Sequence, residues 1–214
     1  MKLRLLALFA ILLAAAARLV AEDTPATPAA TPSPAAAFKL FGPQSRLVYK
    51  LSTGGTLLVA FDPSSTPDGP IKFRYVFSDL GPVGLITMSK DAVASATALH
   101  NYFEAGEHTL TDKTSVWVSQ KVFADAKAGQ PVELDLGQDG KITFKLDPEG
   151  AGVMPLSIDY GCIPDSNDTI GGINTILLKS ADGEKFIRLF DNEKMPLIVD
   201  MDTGSFRVRL SLHL

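Results

Sequence analysis

Three oxygen-bearing side chains lie close together in one short segment of this sequence, and their chemistry suits a cation. They are Asp165, Asn167 and Asp168. Carboxylate and amide oxygens are the ligands that Ca²⁺ prefers. The spacing matches only part of a calcium-binding loop, because Ile170 stands where the glycine of the sharp turn belongs. Asn and Asp also stabilise ordinary turns by bonding their own backbone. The segment is a candidate calcium site, with a plain polar loop as the alternative.

Two aromatic residues are candidates for contact with a ligand or a partner. Trp117 is the only tryptophan and lies between two valines. A flat indole can stack on a sugar or anchor a partner protein, although it more commonly fills a core or a junction between a helix and a sheet. Tyr160 ends a predicted strand that begins at Leu156 and is the second candidate contact.

His100, Glu104 and His108 follow one another at intervals of four, the spacing that aligns side chains on one face of a helix. Imidazole and carboxylate are ligands for zinc. However, Gly106 should end a helix before His108, and eight residues of helix rise about 12 Å. One ion cannot bind both histidines at that separation unless the chain bends back. The sequence therefore predicts exposed polar positions here. Apart from the calcium candidate, it predicts no cofactor.

The segment Asp202-Thr203-Gly204-Ser205 resembles the active-site motif of the aspartic proteases. That chemistry needs two aspartates sharing a proton around one water. No second motif of this kind occurs upstream, and the residues after Asp202 form one alternating strand with no room for a flap. The segment is better explained as a hairpin turn, with Asp at its start and Gly in its tight position. No nucleophilic serine lies in an elbow motif, and Cys162 has no identifiable histidine partner.

The elements that position these residues are mostly short strands. Alternation is clearest at the end of the chain, where Phe206, Val208, Leu210 and Leu212 alternate with polar residues and predict a strand over Ser205–Leu214. Turn residues predict antiparallel hairpins at four places, each where Gly or Asp permits a tight reversal. These are Ser52–Gly55, Gly137–Gly140, Ala181–Gly183 and Asp202–Gly204.

Two helices are predicted between the strands. Asp91–Phe103 is rich in alanine and places an apolar stripe on one side, and Ser119–Ala128 begins with a serine suited to capping its N-terminus. The predicted fold class is α+β and mainly antiparallel β. It comprises a curved sheet, sandwich or half-barrel of about ten short strands, with the two helices packed on one face or end.

The N-terminal residues predict export. Residues 1–21 combine a basic start with an apolar run too short to span a bilayer comfortably, which is the pattern of a secretory signal. Residues 22–37 are rich in Pro, Ala and Thr and predict a disordered linker. Residues 38–214 then form a single globular domain. Its one cysteine, Cys162, cannot form a disulfide within the domain. The expected location is the periplasm or the secreted fraction of a bacterium.

Composition narrows the list of partners. The chain has 20 basic and 24 acidic residues, a balance that excludes nucleic acid as a partner. No transmembrane domain is expected once the signal is removed. We therefore expect a non-catalytic binding or interaction module whose partner is an unidentified protein, a glycan or an apolar ligand. Two alternatives stay open: a periplasmic carrier that holds an apolar ligand between sheet and helices, and a hydrolase whose carboxylates converge only in three dimensions.

Overall fold

The computed structural model describes residues 46–66, 68–78, 80–159 and 167–213, without the side chains of 157–159, 167–171, 212 and 213. The predicted signal and linker lie outside these residues. Thirteen strands occur in the described part of the chain. They are β1 (Arg46–Leu51), β2 (Thr56–Phe61), β3 (Ile71–Phe77), β4 (Val83–Met88), β5 (Ala98–Leu99), β6 (Gly106–Leu110), β7 (Lys113–Thr114), β8 (Val132–Asp135), β9 (Lys141–Asp159), β10 (Asn167–Ser180), β11 (Phe186–Phe190), β12 (Ile198–Asp202) and β13 (Arg207–His213).

All thirteen strands belong to one sheet, in the order β6-β4-β3-β2-β1-β13-β12-β11-β10-β9-β8-β5-β7. A further parallel pairing joins β13 to β9, so the sheet curls into a nearly closed barrel. The four predicted hairpins are confirmed as the antiparallel pairs β1–β2, β8–β9, β10–β11 and β12–β13. The fold is therefore mainly β, as predicted.

Two features of the predicted sheet need correction. The described residues contain thirteen strands where about ten were expected. The sheet is also mixed, because β4–β6, β5–β7 and β5–β8 pair in parallel. The very short strands β5 and β7 carry too few residues for a pattern with a period of two to show in the sequence.

The second predicted helix is confirmed as α2, which spans Gln120–Lys127. The hydroxyl of Ser119 caps it by accepting a hydrogen bond from the amide of Val122. This pairing satisfies one of the amide groups that every helix leaves unpaired at its start. Val122, Phe123 and Ala126 form its buried face.

The first predicted helix is too long. The helix α1 spans only Lys90–Ser95, and the backbone becomes extended at Ala96. Beyond that point Ala98 pairs with Lys113 and with Asp135 in the sheet. Strand pairing and burial of the next side chain, Leu99, therefore outweigh the helical preference of this alanine-rich segment.

The core consists of two clusters of buried apolar side chains. One fills the space behind β1–β4 and includes Tyr49, Phe73, Tyr75 and Trp117. The other lies beneath α2 and includes Phe123, with β8, β9, β10 and β11 contributing seven of its other members. Among the described residues, no helix has the length and apolar composition needed to cross a membrane.

Candidate functional site

The outer face of the sheet over β1–β4 carries a row of aliphatic side chains that belong to neither core cluster, although Val48 itself is buried. The residues are paired directly from strand to strand: Val48 with Leu58, Leu58 with Val76, and Val76 with Val83. We call these four residues the apolar row. Their exposure rises towards the edge, from 7% at Val48 to 38% at Val76 and 58% at Val83.

The β3–β4 hairpin ends this row with a protruding leucine. Leu80 is fully exposed and has a φ of 62°. Residues other than glycine rarely adopt this left-handed backbone conformation. The turn is tightly packed, because a Cβ added at Gly81 would lie 2.5 Å from Cβ of Phe77. Three of the five large hydrophobic side chains exposed in the described residues, Val76, Leu80 and Val83, lie in this hairpin. Such clusters on a soluble protein mark interaction sites.

A second feature is a small apolar pocket behind the sheet, with a volume of about 50 Å³. Drug-sized ligands occupy pockets of roughly 300–1,000 Å³, so this pocket is too small for one. Its wall includes Tyr49, whose hydroxyl donates a hydrogen bond of 2.8 Å to the carbonyl of Ile198. Burial raises the pKa of Tyr49, which keeps this phenol a neutral donor.

A wider depression of about 420 Å³ opens beside α2. Its lining contains the ion pair of Lys127 and Asp191, whose nitrogen and oxygen lie 2.9 Å apart. Glu193 adds a further carboxylate. The charged lining makes this depression a poor match for an apolar ligand.

His100 and His108 come together although the sequence spacing suggested otherwise. The chain leaves the helix before His100 and returns along β6, so the two ring centres lie 5.8 Å apart. Nε2 of His108 donates to the carbonyl of Glu104, which also accepts the hydroxyl of Tyr75. In the described parts of the chain, no group of three His, Cys, Asp or Glu side chains is placed to hold a metal ion.

Burial lowers the pKa of His100 below its ordinary value of 6.5, and the neighbouring His108 and Lys113 lower it further, while Glu104 acts in the opposite direction. The unfolded chain therefore takes up this proton at a higher pH than the folded protein does. We expect full stability above about pH 6.5 and a falling urea midpoint as the pH drops through the folded pKa. Replacing His100 by Asn should remove this dependence. An unchanged pH profile in the His100→Asn variant would contradict the assignment.

Four buried polar side-chain atoms lack a hydrogen-bond partner within the described structure. They are Nε2 of His100, the hydroxyls of Thr114 and Ser115, and Nε1 of Trp117. The segment is also strained, because Val116 has a φ of 58°. Neither hydroxyl bonds to an imidazole, so the cluster lacks the paired nucleophile and base of a catalytic site.

Of the candidate site residues, the structure describes Trp117 in full and the backbone of Asn167 and Asp168. Trp117 is only 1% exposed and packs edge-on against Phe61, with ring centres 5.0 Å apart. Tyr160 and Asp165 lie outside the described residues. Asn167 and Asp168 begin β10, where they pair with Asp159 and Ile158. The backbone of these two residues is thus in a strand rather than in the loop expected from the sequence.

Sequence reasoning missed the apolar row. Val76 and Val83 look like ordinary core residues of strands in the sequence. The strand register alone places them side by side on the outer face. The chain matches no protein-family model, no curated protein and no solved structure.

Proposed function

We propose that this protein is a non-catalytic binding module that works outside the cytoplasm and holds its partner on the outer face of β1–β4. The observation that carries the proposal is the exposed hairpin formed by Val76, Leu80 and Val83. Exposed aliphatic side chains of this kind gain free energy when a partner covers them, at about 25 cal/mol for each Å² buried. The predicted leader and linker of residues 1–37 support the location.

Other parts of the described structure favour binding over catalysis or carriage. The hydroxyls of Thr114 and Ser115 are not hydrogen-bonded to a base within the described residues, and the charged depression beside α2 does not suit an apolar ligand. The pocket at Tyr49 is too small for a ligand of the usual size. These observations favour a contact surface over a catalytic site or a cavity that holds an apolar ligand.

The proposal can be tested by crosslinking in the cells that produce the protein. A photoreactive amino acid replaces Leu80 in the full chain, and a control carries it at Lys145, an exposed residue of β9. We expect a crosslinked product in the extracytoplasmic fraction from position 80 but not from position 145. Adding Val76→Ser and Val83→Ser should abolish it. Retention of the protein in the cytosol, or equal crosslinking from both positions, would refute the proposal.

A further inference from the structure

The segment that connects β5 to β6 forms one wall of the small apolar pocket behind the sheet. We call this segment, residues 100–105, the strap, and it contains no helix or strand. Its residues His100, Asn101 and Phe103 all line the pocket. The other lining residues come mostly from strands β1, β2, β5, β12 and β13. A movement of the strap away from these strands would therefore open the pocket.

Aromatic contacts hold the middle of the strap against the sheet. The ring of Phe103 lies edge-on to that of Tyr75 in β3, with ring centres 4.9 Å apart, and 5.7 Å from the ring of Phe77. The hydroxyl of Tyr75 donates to the carbonyl of Glu104. A Cβ added at Gly84 would overlap this hydroxyl, so the missing side chain makes room for the contact. Removing the ring of Phe103 should therefore loosen the strap.

The strap can move while the strands on either side of it stay paired. Strand β5 pairs with β7 and β8, and β6 pairs with β4, through residues that lie outside the strap. At the start of the strap, the amide of His100 donates to the carbonyl of Thr114 at 2.7 Å. Just beyond its end, Gly106 has a φ of 117°, and glycine accepts changes of backbone angle readily. Between these points, the side-chain amide of Asn101 donates to the carbonyl of Leu136. The strap is thus a short loop anchored at both ends.

His100 makes the closed strap sensitive to acid. Its Nε2 is buried and has no hydrogen-bond partner within the described structure. In a protonated imidazole both ring nitrogens donate, so Nε2 would then be a buried donor without an acceptor. The ring also lies beside a second imidazole, that of His108, with ring centres 5.8 Å apart. Protonated His100 is therefore more stable when its ring reaches water.

The charges that act on His100 come from three elements. Burial is the largest cause of its lowered pKa, and the charges of His108 on β6 and Lys113 on β7 lower it further. Glu104 of the strap acts in the opposite direction. Tyr75, which contacts the strap from β3, stays neutral because burial and the charge of Glu104 raise its pKa. When the strap opens, the pKa of His100 returns towards its ordinary value, so the open strap takes up the proton at a higher pH and acid favours opening.

We propose that the strap is an acid-released gate and that the pocket behind it binds a small, uncharged apolar molecule when the strap opens. The lining side chains are apolar except for His100, Asn101 and the hydroxyl of Tyr49, which is already bonded to the carbonyl of Ile198. The closed pocket of about 50 Å³ is too small for a drug-sized ligand, so binding requires the ring of Phe103 to leave.

This second site is separate from the surface on the outer face of β1–β4. Its lining residues Tyr49 and Leu57 belong to the core cluster behind these strands, whereas Val76 and Val83 point to the other side. Binding in the pocket and binding on the outer face can therefore be measured apart, and the inference does not rest on the proposed function.

The test measures binding of N-phenyl-1-naphthylamine, an uncharged dye whose fluorescence rises in apolar surroundings, to the full chain. Titrations are made at about pH 7.5 and about pH 5, on either side of the ordinary pKa of histidine. His100→Asn removes the titrating group, and Phe103→Ala removes the ring that holds the strap. Tyr102→Ala is the matched control, because this strap residue is 56% exposed and does not line the pocket. Far-UV circular dichroism at each pH follows the fold of the whole domain.

We expect the wild-type chain to bind the dye about tenfold more tightly at the lower pH, as for a pocket that is open in about a tenth of the molecules at the higher pH. His100→Asn should lose this difference. Phe103→Ala should bind the dye tightly at both pH values, and Tyr102→Ala should behave like the wild type. If Phe103→Ala does not fold, the result with His100→Asn decides.

Equal binding of the dye at both pH values by the wild type, or a full pH response in His100→Asn, would overturn the inference. Loss of the circular dichroism signal at the pH at which the dye binds would also overturn it, because the whole domain would then unfold. Loss of binding in Val83→Ser would do the same, since the dye would then lie on the outer face.

Discussion

Removing the residues from Leu210 onward should leave the protein unable to fold. Strand β13 lies between β1 and β12 and also pairs with β9. This deletion removes four of its six pairs with β1 and its pairing with β9, while its pairs with β12 remain. Burial of Leu210 alone contributes about 1.5–3 kcal/mol, and most of the ladder to β1 and the pairing with β9 are lost with it. A domain whose total stability is about 5–15 kcal/mol cannot sustain such a loss.

Circular dichroism and urea titration measure this effect. The truncated protein should lack a cooperative unfolding transition and should accumulate in the insoluble fraction. Deleting residues 1–37, the predicted signal and linker, is the control and should leave the urea midpoint unchanged. A cooperative transition in the C-terminal truncation would contradict the central position of β13.

Replacing Trp117 by Ala should lower the free energy of unfolding by about 3–5 kcal/mol. The indole is buried against Phe61, and its backbone bridges to Leu197. Loss of this side chain opens a large cavity in the cluster behind β1–β4. Chemical denaturation of the purified protein measures the change directly.

Trp117→Phe is the matched control and should cost less than half as much. It keeps an aromatic ring in the core and removes the buried Nε1–H that has no partner in the described structure. An unpaired buried donor costs about 1–3 kcal/mol, so removing it offsets part of the lost packing. If Trp117→Ala changed binding of a partner while stability stayed the same, the indole would be a contact residue after all.

The sequence predicts well those elements that depend on residue types at neighbouring positions in the chain. Ser119 precedes α2 and caps it, so the helix start follows from one residue type at one position. The hairpins follow from glycines such as Gly183 and Gly204, whose φ values of 74° and 85° suit them to tight turns. The strand β13 follows from its alternating pattern over residues 207–213.

The elements that the sequence predicts poorly depend on distant partners. The segment after Ser95 has the composition of a helix, yet Ala98 pairs with residues of β7 and β8. The strand predicted from Leu156 forms only the end of β9, which is a single strand of 19 residues that begins at Lys141. Pairing with β10 continues on both sides of an irregularity at residues 148–151, and Gly152 itself pairs with Thr175, so the whole span forms one strand.

The candidate site belongs to this second group. Val48 and Val83 are far apart in the sequence and belong to no continuous apolar run. They lie in one row because β2 pairs Leu58 with both Val48 and Val76, and Val76 pairs with Val83. A surface row created by register cannot be read without knowing the pairing of the strands.

The position of β13 has a consequence for how the molecule reaches its native state. Strand β1 is the first in chain order and β13 the thirteenth, yet they are direct neighbours. Contacts between such distant segments cost much loop entropy before they contribute stability, and they slow folding. A nascent chain that ends short of residue 207 still has an uncovered edge on β1. We therefore expect a slow folding phase during which this edge is open to chaperones and to aggregation.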